Sequence, residues 1–148
     1  MSSKFHVSGS KFIPLEADEQ AAFFAEAGYI YRLRSDFNSL LLFATFNGEI
    51  WRSFGKVARG GLVRGVSDIL YLQPRGGYPY FVCELKRADR KGEKDGGVTP
   101  AESDWLAAAK QEHAFTCVAY SADEALSYFS EYMTYPARVL NRAEGNCG

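Results

Sequence analysis

Two carboxylates and one lysine stand out in the sequence because their spacing allows shared chemistry. Asp68 begins one apolar run, and Glu84 and Lys86 stand two residues apart at the end of a second such run. Two carboxylates that converge near neutral pH repel each other unless a cation lies between them, and hard oxygen ligands suit Mg²⁺ or Mn²⁺. An ammonium group beside that cation can hold a phosphate oxygen or assist an attacking water. These residue types therefore indicate metal-assisted chemistry on a phosphate group.

Two strands joined by a tight turn must position these residues. Asp68–Gln73 and Tyr80–Lys86 are strand-like runs, and Pro74–Pro79 between them carries a strong hairpin signal centred on Gly76-Gly77. The two strands are therefore expected to be antiparallel neighbours.

The register of this hairpin predicts which side chains meet. With this turn centre, Asp68 lies opposite Leu85 and diagonal to Glu84, within one residue of register. Residues two apart on a strand share a face, so Glu84 and Lys86 point the same way while Cys83 and Leu85 point into the core. The exposed face at this end of the hairpin is predicted to present the aspartate, the glutamate and the lysine together.

A simpler interpretation competes with a metal site. A Glu-x-Lys pair arises by chance in many chains of this length and usually forms an ion pair in solvent. A functional site is favoured here by a conjunction of features: a strand headed by Gly65-Val66-Ser67-Asp68, a hairpin that brings Asp68 to Glu84, and basic residues on both sides.

Charge is divided unevenly along the chain. The formal net charge is −1, but the segment from Arg52 to Lys94 contains ten basic and four acidic residues, a local charge of +6. The rest of the chain carries −7. A polyanion could therefore dock on one side only, although scattered, solvated charges would give the same count.

The remaining elements complete an α/β pattern. Apolar spacing predicts a helix that places Leu15, Ala22 and Phe23 on one face and ends near Gly28. Thr99-Pro100-Ala101-Glu102 and Ser121-Ala122-Asp123-Glu124 have the form of helix-starting capping boxes. The order of all predicted helices and strands along the chain favours a mixed sheet with helices packed on its faces. The other predicted elements are a buried strand at Ser39–Phe46, a glycine-rich loop at Gly55–Gly65, a helix to about Glu112, a strand at Ala114–Tyr120 and a helix to about Met133.

Length and composition restrict the class of protein. The 148 residues suit one domain, and the longest apolar run, Leu40–Phe46, is far shorter than the roughly 20 residues that cross a bilayer. The first residues contain no apolar stretch typical of a signal peptide. We expect no membrane insertion and a cytoplasmic location.

Cysteine and glycine spacing argues against two other classes of site. Cys83, Cys117 and Cys147 cannot all pair and lack C-x-x-C spacing, so disulfide and zinc scaffolds are disfavoured. Neither Gly60-Gly61 nor Gly76-Gly77 is followed by the Lys-Ser or Lys-Thr of a phosphate-binding loop, so no nucleotide triphosphate is predicted.

Five motifs follow one another along the chain: Glu16-x-x-x-Gln20, Asn47-Gly48, Gly65-Val66-Ser67-Asp68-Ile69, Glu84-Leu85-Lys86 and Thr99-Pro100-Ala101-Glu102-Ser103-Asp104-Trp105-Leu106. Taken in this order, they resemble the VRR-Nuc domain, a family within the PD-(D/E)xK nuclease superfamily. The resemblance implies one domain over residues 1–148, with a restriction-endonuclease-like αβββαβ core at about 15–133. It also implies divalent-metal-dependent phosphodiester hydrolysis and, for compact members, homodimers from phages or bacteria that act on branched DNA such as Holliday junctions.

The resemblance assigns roles to individual residues. Asp68 and Glu84 are expected to be metal ligands, Lys86 the catalytic lysine, and Glu16 an acidic ligand from the first helix. Gln20 follows Glu16 by four residues, so it projects from the same helix face and is expected to support the site. The implied cofactor is Mg²⁺ or Mn²⁺.

Three positions leave alternatives open. Glu19 competes with Glu16 for the role of helical acid, and either could simply favour the helix N-terminus. Ser67 stands where the family usually has proline. The absence of that proline is expected to shift the geometry slightly without abolishing activity. Glu102 stands where the family tends to have glutamine; it either completes a capping box with Thr99 or faces the site as a further negative charge.

The sequence therefore predicts a metal-dependent DNA endonuclease. Backbone contacts from a basic set would recognise DNA shape rather than base sequence. A non-catalytic binding or host-interaction module on a nuclease fold is the rival from another class, and a flap- or end-directed nuclease is a second enzymatic alternative. The predicted DNA-contacting residues are Arg52, Lys56, Arg59, Arg64, Arg87, Arg90 and Lys91.

Overall fold

The computed structural model describes residues 12–45 and 60–138, and within them the element order is the predicted one. Three helices and four strands alternate as helix, three strands, helix, strand, helix. The α/β class predicted from the sequence is therefore confirmed. The elements are α1 (Glu16–Tyr31), β1 (Leu42–Ala44), β2 (Ile69–Tyr71), β3 (Phe81–Leu85), α2 (Pro100–Gln111), β4 (Phe115–Ala119) and α3 (Ala122–Thr134).

The four strands form one mixed sheet in the order β1-β2-β3-β4. β1 and β2 are antiparallel, β2 and β3 are antiparallel, and β3 and β4 are parallel. Arg75 and Tyr78 exchange backbone hydrogen bonds of 3.0 and 2.9 Å across Gly76-Gly77, so the predicted hairpin and its turn centre are confirmed. The turn needs glycine because Gly76 has a φ of +56°.

The hairpin register differs from the predicted one by a single residue. Ile69 lies opposite Cys83, which places Asp68 level with Glu84 rather than with Leu85. The Asp68 carboxylate instead accepts a hydrogen bond of 2.7 Å from the Leu85 backbone N–H. The difference brings the two carboxylates directly opposite each other.

The two faces of the sheet bury different amounts of apolar surface. On one face, α1 and α3 pack against the sheet with a continuous aromatic core that includes Phe23, Tyr71, Phe81 and Phe129. On the other face, Val82 forms a smaller cluster with side chains of α2 and the start of β4. Each fully buried large apolar side chain contributes about 2 kcal/mol, so the larger face provides most of the stability.

α1 differs in detail from its prediction. It continues to Tyr31 rather than ending near Gly28, and its buried residues are Phe23, Ala27 and Tyr31. Leu15, predicted on the buried face, is 58% exposed because it precedes the first helical turn. The aromatic packing of Tyr31 against Phe129, with ring centroids 5.4 Å apart, explains why the helix extends past the glycine.

The predicted buried strand at Ser39–Phe46 was wrong in burial and length. Ser39–Leu41 forms a 3-10 turn, and β1 has only three residues, Leu42–Ala44. Leu40 is 87% exposed. β1 is the edge strand, so one of its sides has no sheet neighbour among the described residues. Phe46 lies outside the described residues.

A buried arginine fixes the start of the β2–β3 turn against the segment that follows α1 and the end of α3. Arg75 is fully buried, and its guanidinium donates hydrogen bonds of 2.8 Å to the Asp36 carboxylate, the Gln73 side chain and the Tyr135 carbonyl. Asp36 also accepts from Arg34. This network anchors the end of the hairpin away from Asp68 and Glu84.

Helices α2 and α3 begin as predicted. Thr99 accepts from the Glu102 N–H and the Glu102 carboxylate accepts from the Thr99 N–H, which is the complete capping box. Ser121 accepts from the Glu124 N–H at the start of α3. Over residues 12–45 and 60–138, no helix combines the length and the apolar character that a membrane crossing requires.

Candidate active site

The structure brings Asp68, Glu84 and Lys86 together at one end of β2 and β3. They are 3%, 1% and 3% exposed, so the predicted convergence is present but the predicted exposed face was wrong. The reason is tertiary: the first turn of α2 contacts Lys86 through Glu102 on this face of the sheet. Alternation along a strand predicts which residues share a face, but not what covers that face.

Glu84 and Lys86 form a buried ion pair in which one oxygen of the Glu84 carboxylate accepts no hydrogen bond from the described residues. The Lys86 Nζ lies 3.0 Å from Glu84 Oε1. Glu84 Oε2 is buried and accepts no hydrogen bond from the described residues. A buried acceptor without a donor is costly unless a ligand or water satisfies it. One carboxylate oxygen in the centre of the cluster is therefore suited to a ligand.

The protonation of Glu84 and Lys86 reflects this crowding. Burial and the nearby negative charge of Asp68 raise the pKa of Glu84 to about 9. Burial acts to lower the pKa of Lys86, but hydrogen bonds to Glu102 and Glu84 outweigh it, so the pKa of Lys86 is raised. The ammonium therefore stays charged, and the cluster favours one further positive charge beside Glu84.

Glu102 serves both as a helix cap and as a partner of the lysine, two roles that the sequence left as alternatives. Its Oε2 and Oε1 lie 2.8 and 2.9 Å from the Lys86 Nζ. Glu102 Oε2 also accepts a hydrogen bond of 2.8 Å from the Thr99 N–H. Although burial acts to raise the pKa of Glu102, these hydrogen bonds lower it overall.

Gly65 brings the segment before Asp68 against the same helix turn. It has a φ of +79°, and a Cβ on it would lie 2.3 Å from the Ala101 carbonyl carbon and 2.6 Å from the Glu102 nitrogen. Only glycine allows this approach. The sequence shows Gly65 only as part of a motif, because this packing role depends on contact with a distant part of the chain.

The two candidate acids of α1 have different surroundings. Burial and the charge of Asp68 raise the pKa of Glu16, and Lys86 acts on it in the opposite direction. Glu16 therefore lies within the electrostatic reach of the cluster. The Glu19 carboxylate instead accepts a hydrogen bond from the Ala122 N–H at the start of α3. Gln20 is partly buried on α1.

The predicted DNA-contacting residues divide into two groups. Arg52, Lys56 and Arg59 lie outside the described residues, and Arg64 is exposed. The others follow β3 and form surface ion pairs, which contribute little to stability and can rearrange around a phosphate. These pairs are Arg87–Asp89 at 3.0 Å, Arg90–Glu93 at 3.2 Å and Lys91–Glu124 at 3.9 Å.

The donor set suits a hard cation held by few protein ligands. Across the described ranges, no three His, Cys, Asp or Glu side chains are placed to hold one metal ion together. Mg²⁺ commonly binds through one or two carboxylates and completes its shell with waters and substrate phosphates. This pattern is met by Asp68 and Glu84, since Glu84 Oε2 accepts no hydrogen bond from the described residues. The two carboxylates do not fit a closed zinc site.

Comparison with known proteins identifies the fold. No model of a known protein family matches the chain, and no curated protein matches it. A solved structure described as a VRR_NUC domain protein matches with a TM-score of 0.65 and 19% sequence identity, covering 82% of this chain and 90% of that chain. The chain has a VRR-Nuc fold.

The VRR-Nuc fold accounts for the architecture around the site. A four-stranded mixed sheet flanked by three helices is the restriction-endonuclease-like arrangement that the sequence resemblance implied. The likeness extends over 82% of this chain, so it concerns most of the fold rather than a single motif.

Proposed function

We propose that this protein is a Mg²⁺- or Mn²⁺-dependent endonuclease that hydrolyses phosphodiester bonds in DNA. The observation that carries the proposal is the buried group of Asp68, Glu84 and Lys86, in which the lysine lies 3.0 Å from Glu84. Burying two neighbouring carboxylates is costly, and a ground-state ion pair needs only one of them. A site that binds a cation and a phosphate uses both carboxylates.

Each residue of the cluster has a distinct task in this proposal. Asp68 and Glu84 hold the divalent cation, and Glu16 of α1 adds negative charge within electrostatic reach of these residues. When bound, the cation supplies a Lewis acid against the oxygens of the scissile phosphate. The Leu85 N–H fixes the orientation of Asp68 through its 2.7 Å hydrogen bond. Lys86 donates from its ammonium to the phosphate oxygen and stabilises the negative charge that develops there.

Branched DNA is the substrate class we propose, with a homodimer as the active form. Arginine and lysine contacts to phosphates carry no base sequence, so the basic segment would select by backbone geometry. Resolving a four-way junction requires two cuts, and a two-fold dimer supplies two sites in a fixed relation.

A cleavage assay on the full chain tests the proposal. Asp68→Asn and Lys86→Ala are expected to lose at least about a hundredfold in Mg²⁺-dependent cleavage while still binding DNA. Asp123→Asn and Lys110→Ala, which change exposed residues of α3 and α2, serve as matched controls with full cleavage. Full cleavage by either site variant would refute the assignment.

The choice of DNA substrate separates a junction nuclease from a flap- or end-directed one. Duplex, flap, single-stranded and four-way junction substrates should be compared at one salt concentration, because phosphate contacts make every affinity salt-dependent. Preferential cutting of the four-way junction supports the proposal. Preference for flaps or free ends would replace it with the alternative enzyme.

A non-catalytic nucleic-acid-binding module is the second candidate, favoured by one observation. Lys86 already bridges Glu84 and Glu102 at 3.0 and 2.8 Å, so part of the buried negative charge is balanced within the chain itself. Calorimetric titration with Mn²⁺ separates the two candidates. Saturable binding that disappears in Glu84→Ala supports the enzyme, whereas no heat at millimolar Mn²⁺ supports the binding module.

A further inference from the structure

Glu102 is tied to the Lys86 ammonium more closely than a helix cap requires. Both of its carboxylate oxygens lie within 2.9 Å of Nζ, while Glu84 contacts Nζ from a second direction at 3.0 Å. We propose that Glu102 is a positioning residue that fixes the Lys86 ammonium for phosphate contact. The inference rests on the proposed nuclease function and assigns to α2 a direct part in it.

The capping box makes Glu102 a rigid support. Its Oε2 accepts a hydrogen bond of 2.8 Å from the Thr99 N–H, and the Glu102 N–H donates a hydrogen bond of 3.3 Å to Thr99 Oγ1. The carboxylate therefore cannot rotate away from Lys86 without leaving a backbone N–H of the helix start unsatisfied. The support is further fixed because Gly65 packs against the backbone of the same turn.

A tethered lysine has a catalytic advantage over a free one. The lysine side chain has four rotatable bonds and loses rotamer freedom when it is held in one geometry. In this structure the geometry is set before any substrate binds, by contacts of Nζ with two carboxylates. Groups that are positioned in advance lower the barrier of the chemical step rather than improve substrate binding.

The carboxylate of Glu102 cannot be replaced by an amide without loss. A glutamine oxygen in the place of Oε2 could still accept from the Thr99 N–H and from the Lys86 ammonium, which would preserve the cap and one of the two lysine contacts. Its NH₂ group would then occupy the place of Oε1, 2.9 Å from the Lys86 ammonium, where two donors would face each other. Glu102→Gln therefore keeps the helix start, removes the negative charge and replaces one of the two lysine contacts by a repulsive one.

The two kinetic constants are expected to respond differently to this change. In Glu102→Gln, kcat should fall about tenfold because the ammonium is no longer held in place. The KM for DNA should stay the same or decrease, since a negative charge close to the phosphate site has been removed. A change that only weakened the fold would lower the apparent kcat through the amount of active protein and would leave the KM unchanged, so a decrease in KM is the effect that a purely structural role does not produce.

Ser121→Ala is the matched control. Ser121 caps α3 in the same way that Thr99 caps α2, through a hydrogen bond of 3.1 Å to a backbone N–H, and it lies in no part of the proposed site. Its loss should lower thermal stability and leave kcat within about twofold of wild type. If Ser121→Ala lowers kcat as much as Glu102→Gln, the positioning role is overturned.

An NMR measurement tests the contact without relying on cleavage. The ¹H–¹⁵N signal of a lysine ammonium is observable when hydrogen bonds and burial slow its proton exchange with water. In the metal-free protein the Lys86 signal, assigned by its absence in Lys86→Ala, should be present in wild type and lost in Glu102→Gln. A signal that persists in Glu102→Gln would overturn the inference. If wild type cleaves no DNA, the proposed function fails while this measurement still decides the role of Glu102.

Discussion

The chemistry of single residues in this protein is dominated by burial. Asp68, Glu84 and Lys86 are almost completely buried, and Glu84 retains an oxygen that accepts no hydrogen bond from the described residues. Such an arrangement lowers stability in exchange for chemistry, as is common at active sites. Stability measurements on single variants can therefore reveal the site independently of any activity.

Glu84→Gln is predicted to stabilise the metal-free protein. The amide keeps the shape of the side chain and an acceptor for Lys86, and it cannot ionise. The raised pKa of Glu84 means that a carboxyl in this place must take up a proton or bear the cost of a buried charge opposite Asp68. We expect a gain of about 1 kcal/mol in the free energy of unfolding, or roughly 3 °C in Tm, together with loss of cleavage. Thermal melts in EDTA measure the effect, with Asp123→Asn as a surface control. An unchanged or lower Tm would contradict the prediction.

Asp36 is predicted to make stability sensitive to acid. Hydrogen bonds from Arg34 and Arg75 hold the pKa of this carboxyl well below its usual value of 3.8. A lowered folded-state pKa stabilises the protein above the unfolded pKa, and this contribution is lost as the pH falls. In urea denaturation, the stability difference between wild type and Asp36→Asn should be full above about pH 5 and shrink below pH 4. A difference that is the same at pH 7 and pH 3 would show that Asp36 is not the titrating group.

At the scale of elements, the first turn of α2 holds the site together. It caps its own helix, contacts the lysine of β3 through Glu102, and packs against Gly65 ahead of β2. The sequence identified this helix start from its capping residues alone. A local signal of this kind explains why the helix begins there, but not which strands it contacts.

Gly65→Ala is predicted to disturb both stability and activity. The new Cβ would overlap the Ala101 backbone at 2.3 Å, so we expect a loss of about 2 kcal/mol or more in the free energy of unfolding and a reduced rate of cleavage. Gly61→Ala is the matched control, since Gly61 has a φ of +83° and no described atom within 4 Å of an added Cβ.

The comparison of these two variants separates strain from steric overlap. Both substitutions carry the penalty of a positive φ, so the excess loss in Gly65→Ala measures the contact with α2. Equal losses in the two variants would mean that the contact contributes nothing.

At the scale of the whole molecule, the distribution of charge matters more than its sum. The chain has a net charge of −1, yet residues 52–94 carry +6 and include Lys86 and the basic residues that follow it. A polyanion that binds this segment displaces surface pairs such as Arg87–Asp89 rather than buried contacts. Association with DNA is therefore expected to depend strongly on salt.

The logarithm of the DNA-binding constant is predicted to fall linearly with the logarithm of salt concentration. Arg87→Ala or Lys91→Ala should each reduce the magnitude of the slope by about 0.9 if the side chain contacts a phosphate. Lys110→Ala, at the far end of α2 and outside the basic segment, is the matched control. Fluorescence anisotropy in Ca²⁺ measures binding without Mg²⁺-dependent cleavage. Slopes equal to wild type in both variants would remove these residues from the DNA contact.

The local features of this protein are encoded by residues that lie close together in the sequence. Short-range backbone rules predict the Gly76-Gly77 turn, the caps at Thr99 and Ser121, and the alternation that places Glu84 and Lys86 on one face. The structure shows all of these features. The sequence resemblance implied the VRR-Nuc fold that the structure shares. These features depend on residues that are near one another in the chain.

Only the tertiary structure decided the features that depend on distant parts of the chain. Packing decided that Asp68 lies level with Glu84, that α2 covers the site, and that Glu19 contacts α3. It also gave Glu102 two partners at once. The physical reason is that periodicity specifies the direction of a side chain, whereas burial and partner choice depend on which element packs against it.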